Sequence, residues 1–238
     1  MSSVSDIKVS VIIPAYNEAE RIQPTLMRVH EYLAAKSYPY EVIIVDDGSS
    51  DATASVVTEQ IVGWPNFSIV QLPKNAGKGA AVAAGMLRAR GLHRLYMDAD
   101  NSTDISHWDA FDTAFRDGAD VVVGSRRIQG AMVALRQPVH REMLGAAFRL
   151  IVGLIAPTAV EDTQCGFKAF TAEAAVRLFS NQLTTRWAFD VEVLRRAQKE
   201  GFHIDEVAVV WNNDRRSHLR LPEMLAMAVD LARIRISM

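Results

Sequence analysis

Leu95–Asp100 has the sequence LYMDAD, an apolar run that ends in two acids one residue apart. Apolar runs bounded by polar residues are typical of buried strands in α/β sheets, where ligands bind beyond the carboxyl ends of the strands. An extended backbone directs Asp98 and Asp100 to the same side, where their charges repel each other. A divalent cation with hard oxygen ligands, such as Mg²⁺, would relieve that repulsion. The alternative is a polar strand end in which Asp98 caps a turn or a helix.

The composition is that of an ordinary globular protein. Hydrophobic residues make up 49% and charged residues 23% of the 238, which predicts one domain over residues 1–238 with a substantial core. The single cysteine, Cys165, excludes an intramolecular disulfide and favours a reducing compartment. The first residues lack the apolar core of a signal peptide, and no stretch reaches the ~20 apolar residues that span a bilayer. We therefore expect a cytoplasmic protein.

The charge is unevenly distributed along the chain. The net charge of −2 gives no general electrostatic attraction to nucleic acid, so we expect no nucleic-acid partner. Residues 1–125 carry 10 Lys and Arg against 16 Asp and Glu (−6), whereas residues 126–238 carry 16 against 12 (+4). An acidic half that holds a metal, followed by an arginine-rich half, suits a ligand that combines a metal with phosphate.

Apolar runs and helical patterns alternate along the first half of the chain, which predicts an α/β fold. The predicted strands cover residues 8–13, 41–45, 67–72, 95–97 and 120–123. The predicted helices cover residues 17–35, 52–61, 77–90 and 106–116, and Asp51 is the expected N-cap of the second. This alternation predicts a mostly parallel central sheet flanked by helices, with a less regular C-terminal third.

Three of the predicted strands end in polar loops: PAYNE at residues 14–18, DDGSSD at 46–51 and DAD at 98–100. Parallel topology would bring these loops to one edge of the sheet, where together they could hold a nucleotide. Tyr16 can stack on a base, and Glu18 or Asp47 can accept hydrogen bonds from base or ribose. Helix caps and tight turns are the alternative for each loop taken singly.

Two glycine motifs that bind phosphate are absent from the sequence. Residues 75–79, NAGKG, lack the spacing of a P-loop and follow the third strand, so they are either a flexible helix start or a nucleotide contact through Lys78. No glycine lies between the first strand and its helix, which disfavours a dinucleotide-binding dehydrogenase.

Taken together, the motifs resemble a known family. VSVIIPAYNE (9–18), VDDGSSD (45–51), DAD (98–100) and GSR (124–126) resemble the family 2 inverting glycosyltransferases of the GT-A fold. In the second half, DTQCGFKAF (162–170) and RWAFDVE (186–192) are similar to the dolichyl-phosphate glucosyltransferase branch, close to the dolichyl-phosphate mannose synthases. The likeness covers about residues 9–235. It implies a Rossmann-like half that binds a nucleotide-sugar over residues 1–125 and an acceptor half over residues 126–238.

The resemblance implies a site and a donor, most simply UDP-glucose. Asp98 and Asp100 would hold Mg²⁺ or Mn²⁺ on the diphosphate, and Arg126, with Arg127 or Arg141 less strongly implied, would contact the same phosphates. The residues implied in donor binding are Pro14, Ala15, Tyr16, Glu18, Asp46, Asp47, Lys78, Asp98, Ala99, Asp100 and Arg126. GDP-mannose stays open as an alternative donor, and a nucleotidyltransferase or a catalytically silent scaffold are the other classes.

The implied acceptor is a polyprenyl phosphate. A phosphate is already anionic at neutral pH, so its attack needs no general base but does need positive charge, for which the candidates are Arg186, Arg215, Arg216 and Arg220. If the acceptor were instead a sugar hydroxyl of a soluble molecule, Asp162 or Asp190 would be the base. The alternatives for these two acids are a loop hydrogen bond and a helix cap. Cys165 is expected to pack rather than react, and Trp187 to lie in the core or beside the substrate.

Two segments are candidates for a membrane surface. Residues 143–155 are apolar except for Gly145, Arg149 and Gly153, and residues 221–236 carry Leu225, Val229 and Ile236 on one stripe. Eukaryotic members of the branch usually begin with a membrane-spanning helix and many bacterial ones end with several, and this sequence has neither. We expect peripheral binding at the cytoplasmic face of the membrane; a buried core helix or a homodimer interface is the alternative.

Overall fold

The computed structural model describes residues 7–133, 152–153, 158–212 and 229–236. The strands are β1 Val9–Ala15, β2 Tyr40–Asp46, β3 Phe67–Gln71, β4 His93–Met97, β5 Val121–Ser125, β6 Met132–Val133, β7 Phe167–Thr171, β8 Ile204–Ala208 and β9 Val210–Trp211. The helices are α1 Ile22–Ala34, α2 Thr53–Gln60, α3 Lys78–Arg88, α4 Trp108–Arg116, α5 Ala172–Phe179 and α6 Phe189–Lys199. A 3₁₀ turn at Ile105–His107 precedes α4, and residues 229–236 are also helical.

Seven strands form one sheet in the order β3-β2-β1-β4-β7-β5-β8. All neighbours are parallel except β7, which runs antiparallel to both β4 and β5. The predicted mostly parallel sheet is therefore confirmed. The antiparallel strand was not predicted, and it places the second half of the chain in the middle of the sheet, beside the strand that leads into Asp98 and Asp100.

The core lies on both faces of the sheet, which explains the continuous β-branched run of β1. Val11 and Ile13 pack on one face with Trp108, whereas Ile12 packs on the other face with Met86. All of them are fully buried. A central parallel strand that is covered on both faces needs apolar side chains at every position rather than at alternate ones.

The first helix begins later than predicted. It starts at Ile22 instead of residue 17, because Asn17 has a positive φ of 54° and the loop that follows is tied to the neighbouring loop. The backbone N–H of Glu18 donates to Oγ1 of Thr53 at 2.8 Å. The second helix also begins later, and Ala52 takes the N-cap position predicted for Asp51. The Asp51 carboxylate still accepts the N–H of Thr53 at 2.9 Å.

Candidate active site

The carboxyl ends of β1, β2 and β4 bring the three polar loops to one edge, as the sequence predicts. Asn17 joins the first two loops: its N–H donates to Oγ of Ser49 at 3.0 Å, and its Oδ1 accepts the N–H of Ser50 at 2.9 Å. Tyr16 is 45% exposed beside this junction. Glu18 is ion-paired with Arg21 at 2.6 Å between Oε1 and Nη2. The exposed ring of Tyr16 can still stack on a base, whereas Glu18 already has a cation.

Other residues predicted to bind the donor shape the edge through their backbone. Pro14 and Ala15 lie inside β1, and the carbonyl of Ala15 accepts the N–H of Asp47 at 2.8 Å. Ala99 is buried, and its carbonyl accepts the hydroxyl of Thr25 at 2.7 Å. Asp46 is buried, and its Oδ1 accepts the N–H of Ser49 at 3.0 Å. These contacts hold the loops in place.

Asp47 fixes the loop in front of α3. Its two carboxylate oxygens accept the N–H groups of Ala76 and Gly77, each at 2.8 Å. Burial raises the pKa of Asp47 above its ordinary value, and the two N–H bonds offset only part of that rise. Gly77 has φ 105°, and a β-carbon there would come within 2.5 Å of the Thr185 carbonyl, so only glycine fits this turn. A direct nucleotide contact by Asp47 stays a prediction.

The two acids of the DAD motif lie just beyond the end of β4. Oδ1 of Asp98 is 2.6 Å from Nζ of Lys78, and the Asp98 side chain is 34% exposed. Oδ1 of Asp100 accepts the N–H of Ser102 at 2.9 Å. Burial, followed by the negative charge of Asp98, raises the pKa of Asp100 above its ordinary value. Burial alone would lower the pKa of Lys78, but Asp98 and Asp190 reverse this and raise it.

These residues fit a divalent cation in their donor chemistry. Both carboxylates offer hard oxygen atoms, and Oδ1 of the adjacent Asn101 is buried without a hydrogen-bond partner. Within the described residues no group of three or more His, Cys, Asp or Glu side chains could hold a metal. A metal on Asp98 and Asp100 would therefore need ligands from elsewhere, which is how Mg²⁺ binds when a substrate phosphate completes its shell.

Arg126 follows β5 and forms a bidentate ion pair with Asp162. Its Nε and Nη2 lie 2.7 Å and 2.8 Å from the two carboxylate oxygens, and its backbone N–H donates to Asp162 at 3.0 Å. The guanidinium also faces the ring of Trp211, 5.2 Å from the centroid. Burial alone would raise the pKa of Asp162, but the bonds from Arg126 hold that pKa below its ordinary value. The structure thus joins two residues that the sequence analysis considered separately.

Asp190 lies in a buried cluster with Lys168 and Tyr96. Oδ1 of Asp190 is 2.6 Å from Nζ of Lys168 and also accepts the hydroxyl of Tyr96. Lys168 donates to the Tyr96 hydroxyl at 3.0 Å as well. Asp190 does not cap α6, whose N-cap is Ala188 and has no side-chain cap bond, so the helix cap considered as the alternative role of Asp190 is wrong. Burying a carboxylate is costly unless it is paired, and the Lys168 ammonium is its partner here.

Several predicted residues lie outside the described part of the chain: Arg141, Arg215, Arg216, Arg220, Leu225 and residues 143–151. Arg127 and Arg186 are both exposed, and the side chain of Arg186 lies against Gly77. Trp187 is half-buried, and its ring centroid lies 5.4 Å from Nζ of Lys78. Trp187 also packs against the buried cluster around Ala188 and Leu231, so both of its predicted environments stay predictions.

Of the candidate membrane segments, residues 152–153 and 229–236 are described. Val152 is buried against Leu231 and Ile234, together with Ala188 of the helix start. Val229 and Ile236 are exposed. Among the described helices, none is both long and apolar enough to cross a bilayer.

Sequence reasoning missed the contacts of the segment at residues 162–168. Gly166 lies against the Asp98 carboxylate, and its carbonyl accepts the N–H of Asp98 at 3.2 Å. Nζ of Lys168 donates to the carbonyl of Cys165, and this bond also holds the segment in place. One signal was available: a lysine inside the apolar strand FKAF must have a buried anionic partner.

The mostly parallel sheet with an Asp-x-Asp motif at its carboxyl edge, together with a matching family model, makes this chain a glycosyltransferase of the GT-A fold. More narrowly, the family model for glycosyl transferase family 2 matches residues 10–179, and the chain belongs to that family.

Relatives and solved structures agree with this assignment. The chain is 39% identical to the dolichyl-phosphate β-glucosyltransferase ALG5C of Trichomonas vaginalis, covering 98% of this chain and 72% of the relative. It is 36% identical to the human dolichyl-phosphate β-glucosyltransferase, covering 96% of this chain and 75% of the relative. In fold it resembles the mannosyl-3-phosphoglycerate synthase of Rubrobacter xylanophilus, with a TM-score of 0.70, 17% identity and coverage of 97% and 73%.

Proposed function

We propose that this glycosyltransferase transfers glucose from UDP-glucose to the phosphate of a dolichyl-type polyprenyl phosphate. One observation carries the proposal: the chain is 39% and 36% identical, over nearly all its length, to two enzymes named for glucosyl transfer to dolichyl phosphate. UDP-glucose is the donor that the sequence motifs imply.

Mg²⁺ or Mn²⁺ on Asp98 and Asp100 would neutralise the diphosphate that leaves the sugar. Asp100 is oriented for this function by the N–H of Ser102, and Asp98 by the backbone of Gly166. Tyr16 stacks on the base, and Asp47 holds the loop in front of α3 and accepts a hydrogen bond from base or ribose. Arg126 contacts the donor phosphates while Asp162 holds its guanidinium in a fixed orientation.

A phosphate acceptor agrees with the contacts of the two candidate bases, each of which is held by a cation. Asp162 is bound bidentately by Arg126, and Asp190 is buried against Lys168. A carboxylate whose pKa is held low by a guanidinium is a poor proton acceptor, and a sugar hydroxyl would need a good one. A phosphate needs no proton acceptor, because it attacks as an anion once cations have offset its repulsion from the diphosphate.

The acceptor also requires contact with a membrane, since a polyprenyl tail stays in the bilayer and only its phosphate can be presented. The helix at residues 229–236 has the composition for peripheral contact: Val229 and Ile236 are exposed, and so is Arg233 between them. In vesicle sedimentation we expect binding to anionic lipids at low salt and release at high salt, with weaker binding by Ile236→Glu. Protein that stays in the supernatant at low salt would remove the membrane contact.

The donor and acceptor are tested together by a panel of radiolabelled sugar nucleotides. Each is incubated with Mg²⁺ and a short polyprenyl phosphate, and the organic extract is counted. We expect counts from UDP-glucose far above those from GDP-mannose or UDP-N-acetylglucosamine. Counts from GDP-mannose alone would move the proposal to a mannose synthase. If glucose were transferred only to water-soluble acceptors, the proposal of a lipid acceptor would be wrong.

A further inference from the structure

Lys78 is the first residue of α3, and its ammonium contacts the carboxylate that the proposed function assigns to a metal. Nζ lies 2.6 Å from Oδ1 of Asp98, and the two side chains are 16% and 34% exposed. The other oxygen, Oδ2, faces Gly166, where an added β-carbon would come within 1.9 Å of it. One oxygen of Asp98 is therefore against an ammonium and the other against backbone.

We infer that Lys78 is the resident counter-ion of the acidic site, and that a metal ion gains Oδ1 of Asp98 only by displacing the Lys78 ammonium. This inference rests on the proposed function, since it takes Asp98 and Asp100 as the metal ligands. Two cations a few ångströms apart in a partly buried site repel each other strongly enough to change affinity by more than tenfold. On the side away from Lys78 the Gly166 backbone leaves no room for the carboxylate, so a metal that takes Oδ1 where it now lies displaces the ammonium.

The displaced ammonium needs a new partner. Asp190, the next carboxylate that acts on Lys78, is already paired with Lys168 at 2.6 Å, and the Trp187 ring beside Lys78 is a weak substitute. The ring centroid of Trp187 lies 5.4 Å from Nζ, and an aromatic face compensates a cation far less than a carboxylate does. A nucleoside diphosphate would supply anionic oxygen atoms at the same edge. Metal and diphosphate should therefore bind cooperatively. The diphosphate compensates the ammonium that the metal displaces, and the metal releases that ammonium to pair with the diphosphate.

The experiment is a titration of Mn²⁺, followed by the electron paramagnetic resonance signal of the free ion, into the full chain with and without UDP. Lys78→Met removes the charge and keeps a good helix former at the start of α3. We expect it to bind Mn²⁺ alone roughly tenfold more tightly than wild type, and to gain much less affinity from UDP. Lys78→Arg keeps a cation and should resemble wild type.

Lys36→Met is the matched control. Lys36 is ion-paired at 2.6 Å with Asp109, which is not one of the proposed metal ligands, and its loss should leave Mn²⁺ binding unchanged. If folded Lys78→Met binds Mn²⁺ alone no more tightly than wild type, the inference is overturned while the metal assignment stands. If Asp100→Asn binds Mn²⁺ with UDP as wild type does, the metal assignment itself fails and takes the inference with it.

Discussion

The carboxylate of Asp98 lies directly against the α-carbon of Gly166, so that a β-carbon at residue 166 would come within 1.9 Å of Oδ2. The same two residues share a backbone hydrogen bond of 3.2 Å from the Asp98 N–H to the Gly166 carbonyl. Residue 166 belongs to the segment that enters the antiparallel strand β7. The second half of the chain thus determines where the first acid of the DAD motif points.

Gly166→Ala should therefore separate activity from stability. The methyl group would push the Asp98 side chain aside at little cost to the fold, because a partly exposed carboxylate can rotate. A displacement of about 1 Å at a reacting centre lowers turnover on the order of a hundredfold. We expect that loss in glucosyl transfer, with a melting temperature within a few degrees of wild type.

Gly153→Ala is the control for that substitution, since a β-carbon there meets no described residue within 4 Å. It should leave both transfer and melting temperature unchanged. Full activity in Gly166→Ala would mean that the position of the Asp98 carboxylate does not matter for transfer.

The buried pair of Lys168 and Asp190 should contribute mainly to stability. Removing one partner leaves an uncompensated charge in the core, which typically costs about 3–5 kcal/mol. Lys168→Met is expected to lower the free energy of unfolding in urea by that amount, and Lys168→Met with Asp190→Leu to recover a large part of it. Arg177→Met is the surface control: Arg177 is half exposed and pairs with Glu173 at 3.5 Å and with Glu200 at 2.9 Å, and its loss should cost about 1 kcal/mol or less. If Lys168→Met lowered the free energy of unfolding no more than Arg177→Met does, that result would contradict a buried charge pair.

The sequence predicts some parts of this site and not others. The loops after β1, β2 and β4 could be predicted, because each follows an apolar run and parallel strands bring their carboxyl ends together. The side chains that contact this edge from the second half of the chain could not be predicted, because they are distant in sequence. Tyr96 of β4, for example, contacts Lys168 and Asp190, which lie 72 and 94 residues further along the chain. Hydrophobic periodicity identifies a strand but says nothing of which neighbour it pairs with.

The antiparallel strand illustrates the same limit. Alternating strands and helices predict parallel neighbours, but Phe167–Thr171 inserts between β4 and β5 in the opposite direction. The start of α1 was predicted too early for a related reason. Helical spacing is present from residue 17, but the tertiary bond from Glu18 to Thr53 holds the backbone out of the helix.

The ion pair of Arg126 and Asp162 predicts a pH dependence of stability. Burial raises the pKa of Asp162, but the hydrogen bonds and charge of Arg126 lower that pKa by more. The pKa of Asp162 in the folded protein therefore lies below the unfolded value of about 3.9. A depressed carboxyl pKa contributes stability that is present above the unfolded pKa and is lost as the pH falls through the folded pKa.

Asp162→Asn should therefore destabilise the protein most near pH 7, and the difference from wild type should shrink below about pH 4. The measurement is the free energy of unfolding in urea at several pH values between 3 and 7. Asp117→Asn, at an exposed helix end, is the control and should run parallel to wild type. A difference between Asp162→Asn and wild type that is constant with pH would show that Arg126 does not hold the Asp162 pKa low.

The most direct test of the account measures transfer itself in wild type and Asp100→Asn. Each is incubated with UDP-[¹⁴C]glucose, Mg²⁺ and polyprenyl phosphate, and radioactivity in the organic phase is counted with and without excess EDTA. The account predicts lipid-linked glucose from the wild type, lost in EDTA and lower by about a hundredfold or more in a folded Asp100→Asn protein. Transfer by Asp100→Asn at the wild-type rate, or full transfer in EDTA, would contradict it.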